Sequence, residues 1–310
     1  MPGSSFQRGF SIIELMVAMV VGLLIVAATS SLFISTKRAY VDSELVSRMQ
    51  ENGRFALNVL ADELRLVNFW GEAPQPEIRQ RSDLDPITGD CTGQAAGYLL
   101  DSPIFAVTAA SSTVASCVND AQVNSDVLFV KHVAPTPISL ADIRNDRSYV
   151  MANPFFGILF DGADPPPSNA VGGDVPNGQL WEIRSALYYV RNDGVTPPAL
   201  VRRLLRSGAW SPPEEIAAGV ENIQFLFGVD DNSDNTVDRY VSTADANFDQ
   251  VIAARVFLLV RSDTQDGSYL DRRTYQLGSL TINNPGDHFR RMVYETTISL
   301  RNRRPFVLGG

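Results

Sequence analysis

Arg8-Gly9-Phe10-Ser11-Ile12-Ile13-Glu14-Leu15 runs straight into an apolar segment that continues to about Ile34. Leu15 to Ala28 contain no polar side chain, so Glu14 stands alone at the entrance of a long greasy run. A carboxylate at mid-bilayer costs roughly 2.5 to 3.5 kcal/mol on insertion scales, and less near the interface, so an intramembrane acid is retained for a function. Phe10 to Ile34 is 25 residues, which as a helix covers about 37 Å and suffices for a hydrocarbon layer of about 30 Å. A secretory signal places its small-residue cleavage site after the apolar stretch. Here the small residue, Gly9, comes before it. Arg8 on one side and Lys37-Arg38 on the other compete under the positive-inside rule, so charge leaves the orientation open.

Beyond the apolar run, Leu45, Met49, Ala56, Leu60, Leu64 and Val67 keep one apolar stripe on a helix, with Glu, Arg and Gln filling the other faces. Gly71 is the expected C-terminal cap, and Pro74 and Pro76 forbid continuation. The pattern predicts an amphipathic half-helix over 35–71, followed by one β-rich domain over 72–310. Residues 71 to 125 are loop-rich. The clearer strands are Asp126 to Val133, Leu180 to Val190, Leu200 to Leu205, Ile223 to Gly228, Val251 to Arg261 and Met292 to Leu300. Asp161 to Gly178, with three consecutive prolines, reads as an exposed loop, and Asn192-Asp193-Gly194 as part of a hairpin turn.

Asp230-x-Asn232-x-Asp234-x-Thr236-x-Asp238 places oxygen donors at alternate positions, as a loop curling around calcium does, with Thr236 giving its backbone carbonyl. Asn235 occupies the turn position that usually holds Gly, which Asn tolerates, and no Glu stands three residues after Asp238. A calcium loop and a solvated acidic turn both fit. No nucleophile elbow, phosphate-binding loop or zinc-protease motif occurs, so no enzymatic activity is expected. Arg202-Arg203 with Arg206, Arg290-Arg291, and Arg301 with Arg303-Arg304 are basic groups on a chain of net charge -9. They read as strand faces or subunit contacts, and no nucleic acid is expected.

The opening octet resembles the leader junction of type IV prepilins and type II secretion pseudopilins. The resemblance implies a leader over 1–9, cleavage between Gly9 and Phe10 by a prepilin peptidase, and N-methylation of Phe10. Loss of Arg8 then moves the net charge from -9 to -10. It further implies a transmembrane and assembly helix over 10–34, an N-terminus in the cytoplasm, and a periplasmic domain anchored in the inner membrane. Glu14 becomes the assembly glutamate. Its carboxylate and the new amine of a neighbour's Phe10 are both expensive in lipid unless paired, and such a pair fixes register between featureless apolar helices.

Gln50 to Leu57, Leu64-Arg65 to Gly71, Gly219 to Phe225 leading into the acidic loop, Ala254 to Arg261, and Arg290 to Asn302 resemble the PilW minor pilins. This implies an α+β type IV pilin fold, a long N-terminal helix packed on an antiparallel β-sheet domain. It implies a minor pilin that primes pilus assembly, and hence twitching motility, from a place at or near the pilus tip on the cell surface. Its partners would be other minor pilins and a large tip-associated adhesin-like protein. A type II secretion minor pseudopilin, and a tip adhesin or DNA-uptake receptor, are the alternatives. In a periplasmic domain Cys91 and Cys117 are expected to form a disulfide, worth about 3.5 kcal/mol by loop closure, and with only His132 and His288 beside them zinc is not expected.

Overall fold

The computed structural model describes residues 11–206 and 208–303. Helix α1 (Ile12–Leu66) opens it, and the chain divides within this helix into two units, Met1–Arg48 and Met49–Gly310. In the first unit every described residue through Val41 is exposed, and this helix is long and apolar enough to cross a membrane. Thr29 and Thr36 interrupt the apolar surface only mildly, because their hydroxyls donate back to the carbonyls of Ile25 and Leu32 at 3.0 and 2.9 Å.

In the second unit the stripe behaves as its spacing demands: Met49, Ala56, Leu60, Leu64 and Val67 are all buried. The strands that follow are β1 (Ile78–Gln80), β2 (Ile104–Thr108), β3 (Asp126–Val133), β4 (Ser148–Ala152), β5 (Gly157–Asp161), β6 (Gln179–Arg191), β7 (Ala199–Arg206) and β8 (Ala209–Trp210). They continue with β9 (Glu214–Ala218), β10 (Val220–Val229), β11 (Arg239–Ser242), β12 (Val251–Arg261), β13 (Thr274–Leu277), β14 (Leu280–Asn283) and β15 (Arg291–Ser299). Among the described residues, β1-β5-β4-β6-β3-β2 form one sheet that also carries β7, β8 and β9; β11-β10-β12-β15 form a second, and β13-β14 a hairpin.

The expected β-sheet domain is thus built, among the described residues, from two mostly antiparallel sheets and a hairpin. The larger is mixed, since β1 lies parallel to β5. These two strands are joined by a long excursion rather than a tight turn, so nothing forces them antiparallel. Strand β6 organises the larger sheet. One edge pairs with β3; along the other, Gln179 to Glu182 pair with β4 and Ala186 to Arg191 with β7. The sheet forks where β4 and β7 part.

Side chains of β3 alternate between two covers, as the period of a strand requires. His132 faces α1, with its Nε2 3.2 Å from the Glu63 carboxylate and its Nδ1 2.9 Å from the Val133 carbonyl. Burial alone would raise the Glu63 carboxyl, yet the hydrogen bond and charge of His132 hold it below the usual range. Lys131 and Ser185 face the other way, onto carbonyls of the segment from Cys91 to Pro103. The two sheets meet at Asp126, whose buried carboxylate accepts from Thr108 Oγ1 at 2.6 Å, Thr243 Oγ1 at 2.7 Å and the Phe225 N–H at 2.9 Å.

The helix stops at Leu66, short of the expected cap at Gly71. Asn68 takes the left-handed conformation at φ 64°, and its N–H donates to the Lys131 carbonyl at 3.2 Å, while Val133 N–H donates to Phe69. The chain therefore leaves the helix by pairing onto β3 beyond the end of β2. Gly71 serves the next turn instead: its φ is +75°, and an added Cβ would sit 2.6 Å from the Trp181 ring. The helix end is also held from far along the chain. Asn302 Nδ2 donates to the Arg65 carbonyl at 3.1 Å, and Asn68 Nδ2 donates to the Asn302 carbonyl at 2.8 Å.

Candidate functional site

Gly9 and Phe10, the expected processing pair, lie outside the described residues. The first turn of α1 is described, and it closes on itself. Ser11 N–H donates to Glu14 Oε2 at 3.0 Å, and Ile13 N–H donates to Ser11 Oγ at 3.3 Å. Ser11-x-x-Glu14 is a capping box, in which side chains take up helix N–H groups that have no carbonyl partner. A carboxylate in the first turn also opposes the positive end of the helix dipole. Glu14 therefore has a local task within one chain, which the charge argument alone did not reveal.

The domain holds the other sequence candidates. Cys91 and Cys117 are bonded to each other, with Cα atoms 4.9 Å apart, and both are buried against Phe129, Tyr189 and Trp210. Beside them lies Lys131, only 1% exposed, whose Nζ donates to the Ser102 carbonyl at 2.8 Å and the Gln94 carbonyl at 3.0 Å. Burial pulls its amine down to about 7, with the Asp90 charge opposing the change only in part. The unfolded chain keeps that proton up to about pH 10.4. Between pH 7 and that limit the unfolded state binds more protons, so stability rises with pH, by about 2 kcal/mol from pH 7 to pH 9. Denaturant midpoints at the two pH values measure this, and in Lys131→Met the increment should vanish.

The acidic loop joins β10 to β11, and its oxygens are turned toward its own backbone. Asp230 accepts from the N–H groups of Asp234 at 3.1 Å and Asn235 at 2.8 Å, Asn232 accepts from Asp234 N–H, and Asp234 accepts from Thr236 N–H at 2.8 Å. Asp238 caps the Asp231 N–H at 2.8 Å, and Asp231 pairs with Arg239 at 2.7 Å. Ser233 and Asn235 adopt left-handed φ of 63° and 66°. Among the described residues no group of three or more His, Cys, Asp or Glu side chains is disposed to hold a metal ion. Asp230, Asn232, Asp234, Thr236 and Asp238, the expected calcium-loop positions, lie in an Asx-stabilised turn.

A larger concentration of charge lies on β15. Arg291, 3% exposed, donates through Nε to Glu221 at 2.5 Å, through Nη1 to Asp271 at 3.0 Å and through Nη2 to Asp287 at 2.6 Å. Tyr275 adds a hydroxyl to Asp271 at 2.8 Å. Burial alone would lower the guanidinium, yet its hydrogen bonds to Asp287 and Glu221 raise it, and Arg291 in turn holds Asp287 below the usual carboxylate range. This hub ties the segment before β15 to β10, and Arg261 over the Phe289 ring, 4.1 Å from its centroid, reinforces it.

Residues 187–302 match the family model described as type IV pilus-assembly protein W, and residues 4–30 match the prokaryotic N-terminal methylation motif. This stretch, 187–302, is similar to the PilW family of type IV pilus proteins. No curated protein and no solved structure matches it. The PilW match begins within β6 and takes in the acidic loop, β12 and the Arg291 hub, while the methylation motif spans Gly9, Phe10 and Glu14. The quoted stretches 50–57 and 64–71 lie outside both matches. Pilin-related families are structural rather than enzymatic, and a prepilin motif with one N-terminal apolar helix fits anchoring in the inner membrane before assembly. A PilW match together with a prepilin motif suggests association with other pilus components and processing by a prepilin peptidase.

Two features of this PilW-like chain escaped the sequence reading. The Ser11-x-x-Glu14 spacing is itself a capping-box signature and was legible. The Arg291 hub was not, because its carboxylates come from Glu221, Asp271 and Asp287, which only the fold assembles.

Proposed function

We propose that the chain is a minor pilin of a type IV pilus that primes assembly and sits at or near the tip, with other minor pilins and a large adhesin-like protein as its partners. The observation that carries this reading is the first turn of α1, where one carboxylate stands at the entrance of an apolar stretch exposed through Val41. Exposed apolar surface of that length needs lipid or other helices around it. At Gly22 an added Cβ would meet nothing within 4 Å in this chain, and a small residue there lets a neighbouring helix approach closely. Processing between Gly9 and Phe10 brings a cationic amine to the same end of the helix. The domain then contributes the lateral surfaces.

The test separates capping from pairing at Glu14. Glu14→Gln keeps an oxygen able to accept from Ser11 N–H but removes the charge, whereas Glu14→Ala removes both. Both variants should be processed to a methylated Phe10, and both should be missing from sheared pili examined by mass spectrometry. Normal recovery of Glu14→Gln in the filament would leave capping as the residue's only task and end the pairing role. Recovery of the wild-type chain at a copy number equal to the major subunit would end the minor-pilin reading.

A further inference from the structure

Where β4 and β7 part along β6, the larger sheet leaves a cleft of about 250 Å³. Its chemistry is one-sided. Arg147, Arg184, Arg202 and Arg206 line it, against the single carboxylate of Glu182. Arg184 and Arg206 sit where the β6–β7 ladder would have continued past Ala186 and Leu204, so the fork itself brings the two cations together. Like charges at such positions repel unless something compensates them.

Compensation within the chain is incomplete. Arg147 Nη1 reaches Glu182 at 3.0 Å and Arg202 Nη2 reaches Glu214 at 2.8 Å. Arg202 Nε and Arg206 Nη1 are buried without any hydrogen-bond acceptor among the described residues. Arg147 Nε is likewise without one, although the Asp146 carboxylate lies 3.5 Å away. Arg184 is exposed and makes no ion pair within 4 Å among the described residues, and the Glu63 charge acts on it and on Arg202 only at longer range. Native proteins rarely bury a charged donor unpaired, and guanidinium groups converging on a polar cavity match the oxygen geometry of phosphate, sulfate and carboxylate.

We propose that this fork is an oxyanion-binding site, in which Arg184, Arg202 and Arg206 hold the anion and Arg147, fixed by Glu182, sets one wall. The shared chemistry has two sources, a free inorganic oxyanion or a carboxylate on a partner's acidic segment. The site is independent of the role of Glu14.

Thermal unfolding of the full chain in detergent, with phosphate compared against chloride at equal ionic strength and pH, tests the proposal. Phosphate should raise the midpoint in a concentration-dependent manner. In Arg184→Gln/Arg206→Gln the phosphate affinity should fall by about tenfold or more, as loss of charge-assisted hydrogen bonds requires. Arg184→Gln alone, at an exposed position, serves as the variant that keeps the fold intact and should show a smaller loss. Equal midpoints in phosphate and chloride, or a phosphate effect undiminished in both variants, overturns the site. A fluorescent Glu-rich peptide and its Gln counterpart then distinguish the sources: acidic-peptide binding displaced by phosphate supports a partner's carboxylate, and phosphate binding without peptide binding supports the free anion.

Discussion

Arg291→Met lowers the unfolding free energy by about 4 kcal/mol, the middle of the range for removing one partner from a buried ion pair. Met fills much of the volume, so the loss is electrostatic rather than a cavity. The carboxylates of Glu221, Asp271 and Asp287 are then left facing one another, and Asp271 is fully buried. For a domain of this size the midpoint should drop on the order of 10 °C. Adding Asp271→Asn should restore part of the loss, because it removes the most deeply buried of the stranded charges, and the double-mutant cycle measures that coupling. The hub also has an acid limit. Asp271 and Asp287 have carboxyls lowered in the folded state, so their stabilisation is present above the usual carboxylate pKa and is lost as pH falls through the folded values. A cost below about 1 kcal/mol for Arg291→Met would mean that water reaches the cluster and screens it.

Opening the disulfide is the second large effect. Cys91 and Cys117 are 26 residues apart, and release of that loop in the unfolded chain corresponds to about 3.5 kcal/mol in the loop-entropy treatment. Both sulfurs sit in an apolar cluster, so Cys91→Ala/Cys117→Ala is the cleaner variant, since serines would add buried hydroxyls. The loop has other holds. Asp90 accepts from Cys91 N–H at 2.7 Å, Gly97 N–H at 3.1 Å and Trp210 Nε1 at 3.1 Å, and Arg203 donates to the Cys117 carbonyl. The double variant should therefore remain folded at room temperature with a lowered denaturant midpoint, and faster amide exchange should concentrate between Cys91 and Ala121. Uniformly faster exchange through β10, β12 and β15 would instead make the bridge a support of the whole domain.

Long, strongly patterned segments of this chain were legible in its residues. β3 and β12 occupy Asp126–Val133 and Val251–Arg261, the ranges their apolar runs predict, and β6, β7, β10 and β15 lie within a few residues of theirs. The strands that went unread are short or atypical. β1, β8, β11 and β14 have two to four residues, too few to display a period. β4, Ser-Tyr-Val-Met-Ala, has five residues and is wholly buried, so it shows no alternation of buried and exposed positions. The helix end was misplaced because Asn68 fills the left-handed position that Gly71 seemed better suited to. In the acidic loop, alternate oxygens serve a cation and a self-capped turn equally well in one dimension, and only the fold shows the self-capping. Lys131 carries no local mark of burial, since only the crossing of β3 under the disulfide segment removes its amine from water.

The grip of Asn302 on the end of α1 sets an order of events during synthesis. Hydrogen bonds from Asn302 to Arg65 and from Asn68 to Asn302 join residues more than 230 positions apart. A chain emerging N-terminus first offers its greasy helix long before the residue that closes the far end of that helix exists. Until the last strand is released, the exit of α1 is left with open carbonyls, and contacts of such separation are slow to close. A chain cut short anywhere before Asn302 lacks the latch.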